Sequence, residues 1–305
     1  MPLHPEAAAV VADLERDGVM IPSDMTPAVM RELVASRPEP TPEPVAAIDE
    51  FTVPGPGGDV PVRRYQPLGK SSDVPTVVFF HGGGWVFGNL DTHDARCRRL
   101  ANRGRCIVVA VDYRLAPEHP FPAAFEDAWA VTRWAGDRAA AAGATFGVTG
   151  DSAGGNLAAA VAIAARDEGL PLALQVLVYP AVDARPERYP SYIENAAGPL
   201  LTTAMTGWFL DRYAGSADRG DWRLAPIRHD DLSGVAQSVI ITAELDPLRD
   251  EGEAYGARLE AAGVPTTVTR YEGMFHAFLG FPERIEAAEQ AHDEVAQAVR
   301  SVLET

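Results

Sequence analysis

A chain of 305 residues, 47% hydrophobic and 23% charged, is long and apolar enough for a well-buried core, either one large α/β domain or two smaller ones, and is not a disordered protein. With 26 Lys and Arg against 43 Asp and Glu the formal net charge is −17, which argues against nucleic acid or anionic membrane as a partner and otherwise serves solubility. The two cysteines, Cys97 and Cys106, have no metal-site spacing and suit the reduced thiols of a cytoplasmic protein. Met1 to Glu6 lacks the basic region and apolar core of a secretory signal, and no run approaches the roughly 18 apolar residues of a membrane span. The expected compartment is therefore the cytoplasm, without membrane insertion.

In chain order, two amphipathic helical patterns come first, Ala7 to Arg16 and Pro27 to Ser36, separated by Ile21 to Asp24. Pro38 to Pro44 is too rich in proline for helix or central strand and marks a linker between a small helical appendage and the main domain. Val60 to Tyr65 alternates like an edge or outer strand. Compact apolar strands follow at Thr76–Phe80, Ile107–Val111, Phe146–Thr149, Leu174–Tyr179, Ser238–Thr242 and Thr267–Tyr271. Helical patterns lie between them at Thr92–Asn102, Ala123–Ala142, Gly155–Glu168, Glu251–Ala262 and Glu283–Leu303. Continuous apolar strands alternating with helices predict an α/β fold with a mostly parallel sheet covered on both faces. Residues 183–226 break the rhythm: they hold no core strand, several prolines and the aromatics Trp208, Phe209, Tyr213 and Trp222. An insertion of this length is a lid over a site or an interaction surface, and its aromatics line a cap or form a homodimer face.

Two stretches carry the chemistry. Phe146 to Gly155 runs from a β-branched segment through Gly150-Asp151-Ser152-Ala153-Gly154 into a helical pattern, so a strand turns sharply into a helix at Ser152. Gly-x-Ser-x-Gly is common in ordinary turns, and only its company gives it weight. His81-Gly82-Gly83-Gly84-Trp85 follows directly on the strand Thr76–Phe80, and three glycines in a row mark a close approach or an unusual bend. In acyl transfer the approaching group is a carbonyl oxygen, and backbone N–H donors aimed at it stabilise the oxyanion. The glycines match neither a P-loop nor a dinucleotide fingerprint.

A serine hydroxyl needs a base, and the base needs an orienting carboxylate. His276, in a loop after the strand Thr267–Tyr271 and flanked by apolar residues, is the candidate base. Asp246, directly after the strand Ser238–Thr242, is the candidate orienter, with Asp250 as a rival better suited to capping the next helix. Each candidate lies just past the C-terminal end of a predicted parallel strand, where open α/β sheets place their sites. The order Ser152, Asp246, His276 is that of an α/β-hydrolase.

In His81–Trp85, Asp112–Glu118, Gly150–Gly155, Asp246–Gly252 and Gly273–His276 the chain resembles the bacterial hormone-sensitive-lipase-like esterases of the α/β-hydrolase superfamily, in their Gly-Asp-Ser-Ala-Gly branch. The resemblance implies Ser152 as nucleophile, His276 as base and Asp246 as its partner, with oxyanion donors on the backbone N–H groups of Gly83, Gly84 and Ala153. It also implies a helical cap: residues 1–45 as its N-terminal part and 183–226 as its insertion, with the catalytic core in 46–182 and 227–305. The implied activity is hydrolysis of short- to medium-chain carboxylic esters, small molecules, through an acyl-enzyme that needs no metal or organic cofactor. An amide, lactone or thioester hydrolase of the same fold, or a non-catalytic ligand-binding homologue, is the alternative. Ala277 departs from the many relatives with glycine after the histidine, and Arg114 and Glu118 have the look of structural ties between loops.

Overall fold

The computed structural model describes residues 2–18, 26–36, 42–69 and 74–303. The break at Ile21–Asp24 and residues 38–41 of the proline connector lie outside them. Eight strands form one sheet: β1 (Ala47–Gly55), β2 (Gly58–Gln66), β3 (Thr76–Phe80), β4 (Ile107–Val111), β5 (Phe146–Asp151), β6 (Leu172–Val178), β7 (Gln237–Leu245) and β8 (Thr266–Phe275). Their order is β1-β2-β4-β3-β5-β6-β7-β8. β1 and β2 run antiparallel to each other, β2 runs antiparallel to β4, and β3 to β8 are mutually parallel. The expected α/β-hydrolase architecture is thus present. The sequence reading missed β1, and the segment it took as an edge or outer strand is second from the edge, because the Gly57-Gly58 turn folds β1 back along it in a hairpin.

The helices are α1 (Pro5–Arg16), α2 (Pro27–Ala35), α3 (Asp94–Gly104), α4 (Ala123–Ala141), α5 (Ala153–Glu168), α6 (Ser191–Glu194), α7 (Thr203–Ala214), α8 (Arg249–Ala261) and α9 (Glu286–Leu303). Alternate side chains of the inner strands enter opposite cores, which is why these strands are apolar throughout rather than alternating. Val78, Phe80, Val109, Val148 and Ile240 join α4, α5 and α8 on one face; Val77, Phe79, Val108, Val176 and Ile241 join α1, α3 and α9 on the other. Each such large side chain, taken fully from water, contributes roughly 1.5–3 kcal/mol.

Residues 183–226 carry α6 and α7 and no strand. Cys97 and Cys106 are both buried, and no disulfide joins them. Arg114 pairs with Asp127 of α4 at 2.8 Å, while Glu118 pairs with Arg31 of α2 at 2.7 Å. Arg31 Nε also donates to the carbonyl of Val86 at 2.7 Å, so the loop after β4 and the glycine-rich loop are both fastened to α2. Among the described residues no helix is long and apolar enough to cross a membrane.

Candidate active site

The strands β3, β5, β7 and β8 end on one edge of the sheet, and each delivers one part of a single site. At the end of β5, Ser152 has φ 55° and ψ −117°, a left-handed backbone forced on a non-glycine residue. The turn is tight on both sides: a Cβ on Gly150 would lie 2.4 Å from the Gly154 carbonyl carbon, and a Cβ on Gly154 would lie 2.0 Å from the carbonyl oxygen of Phe80, the last residue of the neighbouring strand β3. Only glycine allows that approach, which lifts the Ser152 hydroxyl above the sheet.

His276 follows β8 and is 7% exposed, and Asp246 follows β7 and is fully buried. His276 Nε2 lies 3.0 Å from Ser152 Oγ, and His276 Nδ1 lies 2.7 Å from Asp246 Oδ2. With the ring proton on Nδ1, the imidazole donates to Asp246 and accepts from the serine hydroxyl, the tautomer a general base requires. The other carboxylate oxygen, Asp246 Oδ1, accepts the Leu248 N–H at 2.9 Å. Asp250 is not the cap of α8, as the sequence reading had it: Leu248 occupies the cap position and Asp250 falls in the first turn. Its carboxylate instead accepts the Ser191 N–H at 2.8 Å, because α6 lies against this turn.

At the end of β3 the loop reverses with Gly83 at φ 126° and Gly84 at φ 57°. The N–H groups of Gly83 and Gly84 donate to no backbone acceptor among the described residues. That of Ala153, first residue of α5, has no partner within the helix either. All three residues, with Ser152 and His276, line one cavity of about 270 Å³. Its remaining wall is largely apolar and comes from α2, α7 and the loops beside them, including Val34, Trp85, Phe87, Leu201, Met205 and Phe209.

Sequence reasoning missed what holds the glycine loop. Asp151, the residue before the nucleophile, accepts the Gly82 N–H at 3.1 Å and so joins the serine turn to the loop. Its second oxygen lies 2.9 Å from Arg96 Nη1, and His93 Nε2 is 3.4 Å from the first. Burial alone would raise the Asp151 carboxyl, but the Arg96 guanidinium and the His93 ring outweigh it and hold the group well below the usual carboxylate range. Beneath the loop, His81 stacks on Tyr113 with ring centroids 4.2 Å apart and donates from Nδ1 to the Gly82 carbonyl at 2.8 Å. Burial, assisted by His93, lowers the His81 imidazole to about 3 and keeps it neutral. The signal for Asp151 was its place inside the motif; Arg96 and His93 had none, being ordinary residues at the start of a helical pattern.

The aromatics of the insertion point inward. Phe209 lines the cavity beside Gly84, and buried Tyr213 stacks on Trp85 at 4.4 Å. Trp222 meets Phe125 edge-on at 5.9 Å, and Trp208 lies under the Arg212 guanidinium. Ala277 adopts φ 69°, the left-handed backbone for which glycine is suited.

Comparison with known proteins agrees with this fold. A family model described as alpha/beta hydrolase fold matches residues 77–280. Esterase LipI of Mycobacterium tuberculosis is 40% identical over 282 residues, covering 90% of this chain and 88% of the relative. Carboxylesterase NlhH of the same organism is 42% identical over 269 residues, covering 85% and 84%. Among solved structures, a hyperthermophilic esterase from the archaeon Pyrobaculum calidifontis superposes with a TM-score of 0.90 at 38% identity, over 99% of both chains.

Proposed function

Since the chain belongs to the alpha/beta hydrolase fold family, in its hormone-sensitive-lipase-like branch, we propose that it is a serine carboxylesterase acting on short- to medium-chain esters, with Ser152 as nucleophile, His276 as base and Asp246 as the orienting carboxylate. The observation that carries the assignment is the unbroken relay from Ser152 Oγ through His276 to Asp246, at 3.0 and 2.7 Å. His276 takes the hydroxyl proton as Ser152 attacks the ester carbonyl, and the charge that develops on the carbonyl oxygen meets the N–H groups of Gly83, Gly84 and Ala153. Losing one such donor typically costs about 3–4 kcal/mol of barrier. His276 then protonates the departing alcohol and activates water against the acyl-enzyme, while Asp246 stabilises the imidazolium in both halves.

The cavity supports the proposed preference for short to medium acyl chains. A cavity of about 270 Å³ with an apolar wall that includes Phe87, Met205 and Phe209 suits a compact ester. Residues 183–226, with α2 from residues 1–45, act as the cap; α1 packs beside β8, where the His4 N–H donates to the Gly273 carbonyl at 3.0 Å. Buried, reduced Cys97 and Cys106 suit a cytoplasmic location.

Hydrolysis of an acyl-length series, with arylamides of matched length alongside, tests the reading in the wild type and in Ser152→Ala. The expected result is best turnover on short esters, little on amides, and a loss of about 10⁶ in kcat in the variant. Best turnover on long-chain triglycerides would overturn the length preference, and activity surviving in Ser152→Ala would overturn the nucleophile.

A further inference from the structure

Asp246 stands one residue past β7, where the sheet no longer holds the chain: the last pairing on one side is Val178 with Ile241, and on the other Leu245 with Phe275. What holds it is its own turn, through the Leu248 N–H on Oδ1 and the Arg249 N–H on the Asp246 carbonyl at 3.2 Å, together with the insertion. Asn195 Nδ2 donates to the main-chain carbonyls of Glu244 at 3.2 Å and of Asp246 itself at 3.1 Å. The Ser191 hydroxyl donates to the Pro247 carbonyl at 2.6 Å, and the Asp250 carboxylate accepts the Ser191 N–H at 2.8 Å. Arg249 pairs with Glu194 at 2.7 Å, and the Tyr192 hydroxyl donates to the buried Glu251 carboxyl at 3.0 Å. Four of the five residues 191–195 therefore grip the segment 244–251. The grip is local and directional, unlike the apolar packing of Met205 and Phe209 over the cavity.

We propose that Ser191 and Asn195 are positioning residues for the reaction: through the main-chain carbonyls of Asp246 and Pro247 they set the carboxylate against His276 Nδ1, so that this end of the cap and the relay move together. The inference rests on Asp246 being the orienting carboxylate. Two further observations fit it. Tyr192 and Leu248, one from each partner segment, both line the cavity, so both halves of the joint face the site. Ser191 is fully buried, and its hydroxyl also accepts the Asp250 N–H at 3.3 Å, which leaves it no freedom to rotate away.

The test compares Asn195→Ala and Ser191→Ala with the wild type and with Asp246→Asn, each normalised by titrating Ser152 with a phosphonate. Loosening the carboxylate by a fraction of an ångström is expected to lower kcat about 10- to 100-fold while KM changes less than about twofold. The downfield proton resonance of His276 Nδ1–H should broaden or move upfield in both alanine variants. Unchanged kcat and an unchanged resonance in Asn195→Ala, even with a lowered melting temperature, would overturn the proposal and leave the cap with a structural role only. Should Ser191→Ala fail to fold, Asn195→Ala decides alone, since its side chain is only half-buried. If Asp246→Asn itself keeps full activity, the assignment of Asp246 fails instead, and the two failures are told apart.

Discussion

Ser152 and the Gly83-Gly84 loop are set by close approaches of backbone, Gly154 against Phe80 of the neighbouring strand and Gly83 against Phe87, with the Asp151 carboxylate joining the two, whereas Asp246 is set by hydrogen bonds, from the Leu248 N–H in its own turn and from Asn195, 51 positions away in the insertion. The first region is built from close approaches: glycines where a methyl group would strike a carbonyl, and a serine in a strained turn. Breaking those approaches means forcing the backbone. The second is built from directional hydrogen bonds between two loops, and removing a single side chain loosens it.

The largest expected effect breaks the second region at its centre. Asp246→Asn should lower kcat about 10⁴-fold while the protein remains folded, because the amide favours the wrong tautomer of His276; steady-state kinetics and circular dichroism check both halves. Next, Gly83→Ala breaks the first region without touching the relay. Its Cβ would fall 2.1 Å from the Phe87 carbonyl oxygen at a φ of 126°, so the loop must move. A loss of about 10²–10³ in kcat is expected, with the His276 Nδ1–H resonance unaltered.

The two regions should also answer acid with opposite signs. His81, in the first, is held by burial down to about 3, so its contribution is full above its ordinary 6.5 and is lost as the pH falls towards 3, at about 1.4 kcal/mol per pH unit. Glu251, in the second, is pushed well above the usual range by burial, against its bonds from Val182 and Tyr192. Its contribution is present below its ordinary 4.5 and is lost as the pH rises through the raised value. Denaturant melts from pH 4 to 8 should therefore show Glu251→Gln gaining on the wild type as the pH rises; a constant difference would contradict this. The smallest effect belongs to Ala277, beside the base. Ala277→Gly relieves a left-handed alanine and should stabilise by up to about 1 kcal/mol, with kcat nearly unchanged.

What could be read in advance follows the same division. The serine turn and the triple glycine announce themselves because the conformations they need exclude most other residues over a short stretch of chain. His276 and Asp246 were legible from their place after strands, not from their neighbours. β1 escaped because its exposed outer position leaves it a weak apolar pattern, with only Val53 buried among its residues. Asp250 was misplaced because an acid near a helix start has two uses, capping and cross-linking, and α6 supplies the second.

The order of strands and helices, the residue types at the relay and the presence of the two glycine-rich turns were settled by the sequence itself, since apolar periodicity and glycine's missing Cβ can be read locally. The meeting of β3, β5, β7 and β8 at one cavity, the salt-bridged Asp151 under the glycine loop, and the grip of residues 191–195 on Asp246 were decided only by the tertiary structure. The physical reason is that a hydrogen bond between residues far apart in the chain leaves no periodic trace in either segment: Asn195 and Ser191 look like any polar residues of a loop until the fold brings the carbonyls of Asp246 and Pro247 against them.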